Sequence, residues 1–358
     1  MQVGIIGLPN AGKTTIFNSI TRAHATVASY PFCTIEPNQG IVNVFDSNLK
    51  PLSKIYDSQK LTFASIKILD VAGLVEGASR GEGLGNRFLA NIREVDVIAH
   101  IIRCFVDENV AHPYGEIDPV NDIDVIKTEL ILADIETLSR RLEKYTSTAK
   151  SGDADAKENI ELINNAIDLL NNSHTEKALQ VLSANRQLFT ELNLLSLKPM
   201  LFIANVSDEK ASEILFAKLA ARVQDGPVIK IYGKIENELC DFPEDEQLIY
   251  REELGIGTDS VAGFIKKCYF MLDLITFYTI NKNEARAWSL KRHSGILEAA
   301  GKIHSDMQKG FIKAEVINCG SLLSAGSVAK AREEGMIKLE GREYTVMDGD
   351  VLQIKFNV

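Results

Sequence analysis

Short apolar runs separated by stretches of helical spacing organise the first part of the chain. Gln2-Val3-Gly4-Ile5-Ile6 is one such run; a Gly/Pro/Asn loop follows, and Lys13 to Ile20 then continues at helical spacing. Comparable runs at Ile66 to Val71, Val97 to Arg103, Met200 to Asn205 and Val228 to Tyr232 predict further buried strands. Strands that are apolar throughout and alternate with helices predict an α/β fold, its mostly parallel sheet covered on both faces.

One stretch departs from this alternation. From about Asn121 to Leu197 no strand pattern occurs, while Ile126, Leu130, Ala133, Ile135, Leu138 and Leu142 recur at three- and four-residue steps among charged residues. Ile160, Ile163, Ile167 and Leu170 repeat the pattern after a Ser151-Gly152-Asp153 break. The spacing predicts a helical hairpin, or short antiparallel coiled coil, inserted into the α/β domain. Beyond Phe270 the pattern changes again. Ile275 to Ile280, Glu284 to Trp288, Phe311 to Ile317 and Val351 to Phe356 read as strands of a separate, small α+β module.

Composition narrows the setting. The chain has 358 residues, 45% of them hydrophobic, which is enough for a large core and for more than one domain. No run approaches the length needed to span a bilayer, and Met1 leads directly into a strand-like segment, so a cytoplasmic protein with no membrane partner is expected. Cys33, Cys104, Cys240, Cys268 and Cys319 are scattered without metal or disulfide spacing and read as packing residues. A formal charge of -10 argues against general coating of nucleic acid. A local basic face remains open, because Lys282, Arg286, Lys291, Arg292, Lys302, Lys309 and Lys313 are interleaved with Trp288, His293 and Phe311.

The chemistry concentrates after the first strand. Gly7-Leu8-Pro9-Asn10-Ala11-Gly12-Lys13-Thr14 fits the phosphate-loop pattern GxxxxGK[ST] between a strand and a helix, the context that motif requires. Its glycines let backbone N–H groups turn inward around phosphates, Lys13 neutralises the outer phosphates, and Thr14 can ligate Mg²⁺. Gly7, Asn10, Ala11, Gly12, Lys13, Thr14 and Thr15 are therefore candidate nucleotide contacts. Asp70-Val71-Ala72-Gly73 ends a later strand, putting a carboxylate where it can hold the metal through a water and a glycine N–H where it can meet a γ-phosphate. Thr34, in the Pro-bounded loop Tyr30 to Pro37, is a candidate second hydroxyl ligand, which makes Thr14, Thr34 and Asp70 the expected metal set. Small GTPases carry a water-orienting glutamine after the glycine; here Leu74 stands in that place and cannot do that work.

These blocks carry a resemblance. Gly7 to Thr15, Pro31 to Asn38, Asp70 to Val75 with Gly81 to Asn86, and the ending Asp348-Gly349-Asp350 to Val358 together resemble the YchF/Obg-like ATPase family over essentially the whole chain. The resemblance implies an Obg-type nucleotide-binding domain over 1–272, interrupted by a helical insertion at 121–197, and a TGS domain over 273–356. It implies a weak, Mg-dependent ATPase that associates with the ribosome, through its large subunit, and leaves RNA as a further partner. In that family a loop histidine stands in for the missing glutamine, and His112 falls at the matching position. The catalytic set expected is therefore His112, Lys13 and Gly73.

The base end is open. Asn205-Val206-Ser207-Asp208 closes a buried strand like the guanine-binding Asn-Lys-x-Asp motif, but without its lysine. The resembled family has a glutamate where Asp208 stands, and aspartate is the residue a guanine site uses. Asn205, Val206 and Asp208 are candidate base-site residues, with ATP expected and GTP the alternative. A plainer reading has Asn205 and Asp208 capping the helix that follows.

Overall fold

The structure is a computed structural model that describes residues 1–23, 38–71, 84–149, 154–172, 174–185, 189, 192–224, 226–256 and 260–357. The chain divides into two compact units: Met1–Ala23 and Ile68–Ser260 belong to the first, Gly40–Lys67 and Val261–Val358 to the second.

A six-stranded sheet organises the nucleotide-site chemistry. Its strands are β1 (Gln2–Ile6), β2 (Gln39–Asn43), β4 (Ser65–Asp70), β5 (Val97–Cys104), β6 (Met200–Val206) and β7 (Val228–Ile231), arranged β2-β4-β1-β5-β6-β7. From β1 through β5 and β6 to β7 the pairing is parallel, with Ile6 opposite His100 and Arg103 opposite Asn205. Every residue of β5 is buried, which is why its sequence is apolar on both alternating faces. The exceptions are His100 and Arg103, of which His100 is an apolar filler in practice. Burial pushes its pKa down to about 3, and its ring lies tilted against Phe202 at 6.0 Å between centroids.

Helix α1 (Lys13–Ala23) follows β1, and α3 (Leu84–Glu94) buries Phe88, Leu89 and Ile92 beneath the sheet with Ile6, Val71 and Ile98. Helix α4 (Pro119–Ala149) has 31 residues and so runs about 46 Å. Its two halves face different cores. Ile126, Leu130 and Ala133 pack with the sheet cluster, whereas Leu138 joins Ile163, Ala166 and Leu170 of α5 (Ala154–Asn171) and Ala178 and Leu182 of α6 (Thr175–Ala184). The expected hairpin is α4 with α5; α6 adds a third helix to the same core.

The second unit is built on a sheet of order β11-β10-β12-β8-β9-β3. Four of its strands are those expected: β8 (Leu274–Ile280), β9 (Glu284–Lys291), β10 (Phe311–Asn318) and β12 (Asp350–Phe356); β11 (Lys338–Glu340) lies at one edge. The other edge strand, β3 (Lys60–Thr62), comes from far earlier in the chain and pairs parallel to β9 from Lys60 opposite Glu284. Helix α2 (Leu49–Tyr56) also belongs to this unit. Within the segment 40–67, expected in the span 1–272, β3 is thus paired by β9 in the second sheet, while β2 and β4 pair in the first. Phe277, Leu290, Ile296, Phe311 and Leu352 form the core here. The aromatic half of the expected basic face is largely spent on packing: Phe311 is buried, and Trp288 stacks on Phe277 while its indole N–H donates to Thr279 at 2.8 Å. Lys282, Lys291, Arg292, Lys302, Lys309 and Lys313 are exposed.

The root of the helical arm rests on one buried carboxylate. Asp134 of α4 is wholly buried and accepts the Leu195 N–H and the Ser196 N–H, each at 2.8 Å, and the Ser196 hydroxyl at 2.6 Å. Burial pushes its pKa up, against the lowering effect of those hydrogen bonds. Asp134→Ala strands these donors in a dry site and is expected to cost about 2–4 kcal/mol. Hydrogen exchange should locate the loss as faster exchange at the Leu195 and Ser196 amides; unchanged protection there would contradict the anchoring role.

Candidate functional site

In a parallel sheet the loops beyond the carboxyl ends of neighbouring strands converge, and ligands bind there. The chain leaves β1 on one side for β4 and returns across it to β5, so the loop after β1 lies at such a crossing. That loop is the phosphate loop. Gly7 and Gly12 both have positive φ, 154° and 89°. A Cβ on Gly7 would lie 2.4 Å from the Ile101 carbonyl oxygen, and one on Gly12 would lie 2.1 Å from the Asn205 amide nitrogen, so neither position accepts a side chain.

Lys13 begins α1 and is nearly buried; its ammonium donates to the Leu8 carbonyl at 2.8 Å. Burial lowers its pKa and the nearby Asp70 charge opposes that. Thr14, exposed at the mouth of the loop, donates its hydroxyl to Asp70 Oδ2 at 3.1 Å. Burial raises the Asp70 pKa, with the Thr14 hydrogen bond and the Lys13 charge pulling the other way. The two oxygen donors expected to serve a metal are therefore adjacent. A hydroxyl and a carboxylate are hard oxygen ligands of the kind Mg²⁺ takes, and no group of three or more His, Cys, Asp or Glu side chains fit for a metal occurs among the described residues. Thr34, Gly73 and Leu74 lie outside the described residues, as does most of the glycine-rich stretch after them.

Beyond β6, Asn205 does what neither a surface residue nor a helix cap would do. Its side chain is buried, its amide donates to the Ala11 carbonyl at 2.9 Å, and its oxygen accepts the Gly233 N–H at 3.2 Å. The capping alternative is not what forms: helix α7 (Lys210–Arg222) has Glu209 at its N-cap with no side-chain cap bond, and Ser212 closes the turn onto Ser207. Val206 packs its side chain with Ile102, Phe202 and Leu219. Asp208 is exposed beside these groups. Thr15 is half-buried on α1.

His112 lies in the loop after β5 and is brought to the phosphate loop by its neighbour. The Asn10 amide donates to the Ala111 carbonyl at 3.0 Å, and the Arg103 guanidinium donates to that same oxygen at 3.3 Å. Arg103, wholly buried at the end of β5, also donates to the Phe105 and Asp107 carbonyls, each at 3.2 Å, and stacks over the Phe105 ring. Five donors in a rigid fork let one side chain fold the whole turn around itself. The His112 ring is not turned out to solvent: its side chain is 2% exposed, Nε2 lies 3.3 Å from the Asp122 carboxylate, and Nδ1 accepts the Tyr114 N–H at 3.3 Å. Arg103 and Asp122 were not singled out from the sequence. Arg103 ends an apolar run and reads there as a strand terminus; Asp122 reads as an ordinary acid in the first turn of α4.

Comparison with known proteins agrees with this architecture. A family model described as 50S ribosome-binding GTPase matches residues 2–132, and a YchF GTPase C-terminal model, described as a protein of unknown function, matches 274–357. The chain is 40% identical to a Bacillus subtilis protein named Ribosome-binding ATPase YchF, and 41% identical to one of that name in Mycoplasma genitalium, with 100% of both chains covered in each case. The solved structure of the Schizosaccharomyces pombe YchF GTPase superposes with a TM-score of 0.86 at 29% identity, covering 99% of this chain and 97% of that one. Full-length similarity and the phosphate-loop geometry lead to the same conclusion: the chain belongs to the YchF family of P-loop nucleoside triphosphatases.

Proposed function

We propose that the chain hydrolyses ATP to ADP and phosphate, slowly on its own, and acts in the cytoplasm as a ribosome-associated regulator of translation or stress response. The observation that carries the hydrolytic part is the Asn10 bond to Ala111, which ties the His112 loop to the phosphate loop at 3.0 Å. The ribosome enters from the names of the full-length relatives, and the large subunit from the family model described as 50S ribosome-binding GTPase. No helix among the described residues is long and apolar enough to cross a membrane.

The phosphate loop's backbone N–H groups and Lys13 bind the phosphates, and the Lys13 ammonium exchanges the Leu8 carbonyl for phosphate oxygens when nucleotide enters. Thr14, Thr34 and Asp70 would hold Mg²⁺, which when bound neutralises charge on the phosphate oxygens. Water adds its oxygen to the γ-phosphorus, the bond to the bridging oxygen breaks, and its electron pair leaves with ADP. Gly73 N–H stabilises the transferring group, and His112 orients the water and takes its proton in place of the absent glutamine. Catalysis of this kind is almost wholly positioning and electrostatics. A second reading, a nucleotide-set conformational switch with little turnover, draws on one observation: both ring nitrogens of His112 are already hydrogen-bonded.

The names of relatives divide over the base, ATPase in one set and GTPase in the other. ATP is favoured here because the lysine that packs on guanine in Asn-Lys-x-Asp sites is Val206, whose side chain is buried. Calorimetric titration with Mg-ATP and Mg-GTP is expected to give tighter binding of ATP, with Lys13→Ala weakening both. Tighter GTP binding would reverse the assignment. Asp208→Glu is expected to move the preference further toward ATP, and an unchanged ratio would mean that Asp208 does not face the base.

His112→Ala is expected to slow single-turnover hydrolysis by more than about tenfold with nucleotide affinity preserved. An unchanged rate would remove His112 from the reaction. Ribosomes should raise the wild-type rate; a high rate without them would rule out the switch reading.

A further inference from the structure

The His112 ring makes two contacts of different kinds. Nδ1 accepts an N–H from Tyr114, two residues along in the same turn, in a long neutral hydrogen bond of 3.3 Å. A nitrogen that accepts carries no proton, so the ring proton is on Nε2, which faces Asp122 at 3.3 Å from each carboxylate oxygen. Oδ2 takes that hydrogen bond, and Asp122 Oδ1 is left without one of its own. The side chains of His112 and Asp122 are each 2% exposed.

An acid in the first turn of α4 also answers the helix dipole, but a solvated one would do that equally well. Asp122 instead gives up water to face an imidazole, and a desolvated carboxylate with one unused oxygen is costly to keep. The backbone around the pair is fixed from both sides. Arg103 holds the carbonyls of Phe105, Asp107 and Ala111, Asn10 holds Ala111 from the phosphate loop, and Asp122 sits on the first turn of a helix anchored in the sheet core. The ionisable groups acting on Asp122 are His112, Arg103 and Asp118.

From this geometry we infer that Asp122 is the positioning residue for His112: it holds the ring by Nε2–H, so that Nδ1 is the nitrogen presented to water. The inference rests on the proposed role of His112 and deepens it. Of the two ring contacts, the neutral bond to the Tyr114 N–H is the one exchanged when a water arrives, because a hydrogen bond to a carboxylate is the stronger. The proton passing from water to Nδ1 leaves an imidazolium whose charge the Asp122 carboxylate then faces. Asp122 acts through His112 and touches no substrate.

The test is a double-mutant cycle on the full chain under single-turnover conditions with Mg-ATP. Asp122→Ala is expected to lower kcat by about tenfold with the KM for ATP changed by less than about twofold. Asp122→Asn, which keeps the shape and an acceptor oxygen without the charge, should lose less; it also provides a soluble variant should the alanine form fail to fold. In the His112→Ala background Asp122→Ala should have no further effect. A further loss there would make Asp122 merely structural and overturn the inference, and so would a faster Asp122→Ala enzyme, which would make Asp122 a restraint. Nitrogen-15 shifts of labelled histidine, with His112 assigned by its absence in His112→Ala, give a readout apart from activity. The wild type should show the Nε2–H tautomer and Asp122→Ala a mixture; the same tautomer in both would overturn the inference. If His112→Ala itself hydrolyses at the wild-type rate, the proposed role of His112 falls and this inference falls with it. A slow His112→Ala enzyme beside an unaffected Asp122→Ala removes Asp122 alone.

Discussion

The buried carboxamide of Asn205, near the end of β6, bridges two segments that the parallel sheet brings together. Its nitrogen reaches the carbonyl of Ala11 in the phosphate loop, and its oxygen receives the N–H of Gly233 at the start of α8 (Gly233–Leu239). An amide offers a donor and an acceptor on one rigid group, so a single side chain can satisfy a carbonyl and an N–H that face each other across a gap. The gap is narrow: a Cβ on Gly12 or on Gly233 would collide with Asn205. The glycine of the phosphate-loop motif is thus required twice, once for the backbone turn around phosphate and once for the approach of a side chain 193 positions later. Losing either half of this bridge would leave a buried polar group unpaired, at a cost of about 1–3 kcal/mol.

A second bridge works on the other side of the phosphate loop. The carbonyl of Ala111 is shared by Asn10 and Arg103, so one oxygen receives a donor from the loop that binds phosphate and one from the end of β5. Asn10 thereby joins the phosphate loop directly to the residue before His112. That link is short, one hydrogen bond and one peptide.

What the sequence made legible follows from how local each signal is. The phosphate loop, the strands at 2–6, 97–104 and 200–206, and the stripe from Ile126 to Leu142 are read from neighbours in the chain, and each lies where its pattern put it. Asp134, Arg103 and Asp122 were opaque for the opposite reason. Asp134 is defined by Leu195 and Ser196, some sixty positions away, and nothing in the residues around Asp134 announces that pairing. Strand β3 is three residues long, too short for a period to register, and its membership in the second sheet is decided wholly by β9. Basic residues and aromatics interleaved after Lys282 suggested a mixed face, but alternation along a strand sends neighbours to opposite sides. The lysines and Arg292 are out and Phe311 is in, whereas Arg286 and Trp288, two apart on β9, share a face with the guanidinium 3.9 Å over the ring.

The two ends of the nucleotide site are built to different standards of rigidity, and that bears on why relatives of one family carry both ATPase and GTPase names. At the phosphate end the described groups are hydrogen-bonded: buried Lys13 to Leu8, exposed Thr14 to Asp70, and buried Asn205 to Ala11. A substitution there disturbs backbone that the sheet itself depends on. The base end rests on the turn after β6, where Val206 is committed to the core but Asp208 stands exposed, outside the Ser207–Ser212 hydrogen bonds that close the turn. An exposed side chain on a turn closed by other residues can change its length or direction at little cost to the fold. Selection between bases, which turns on where a few hydrogen-bonding groups face, can therefore vary among chains that share one phosphate site. In this fold the phosphate loop is tied to the architecture, while Asp208, proposed above as the base-facing residue, stands on an exposed turn at its edge.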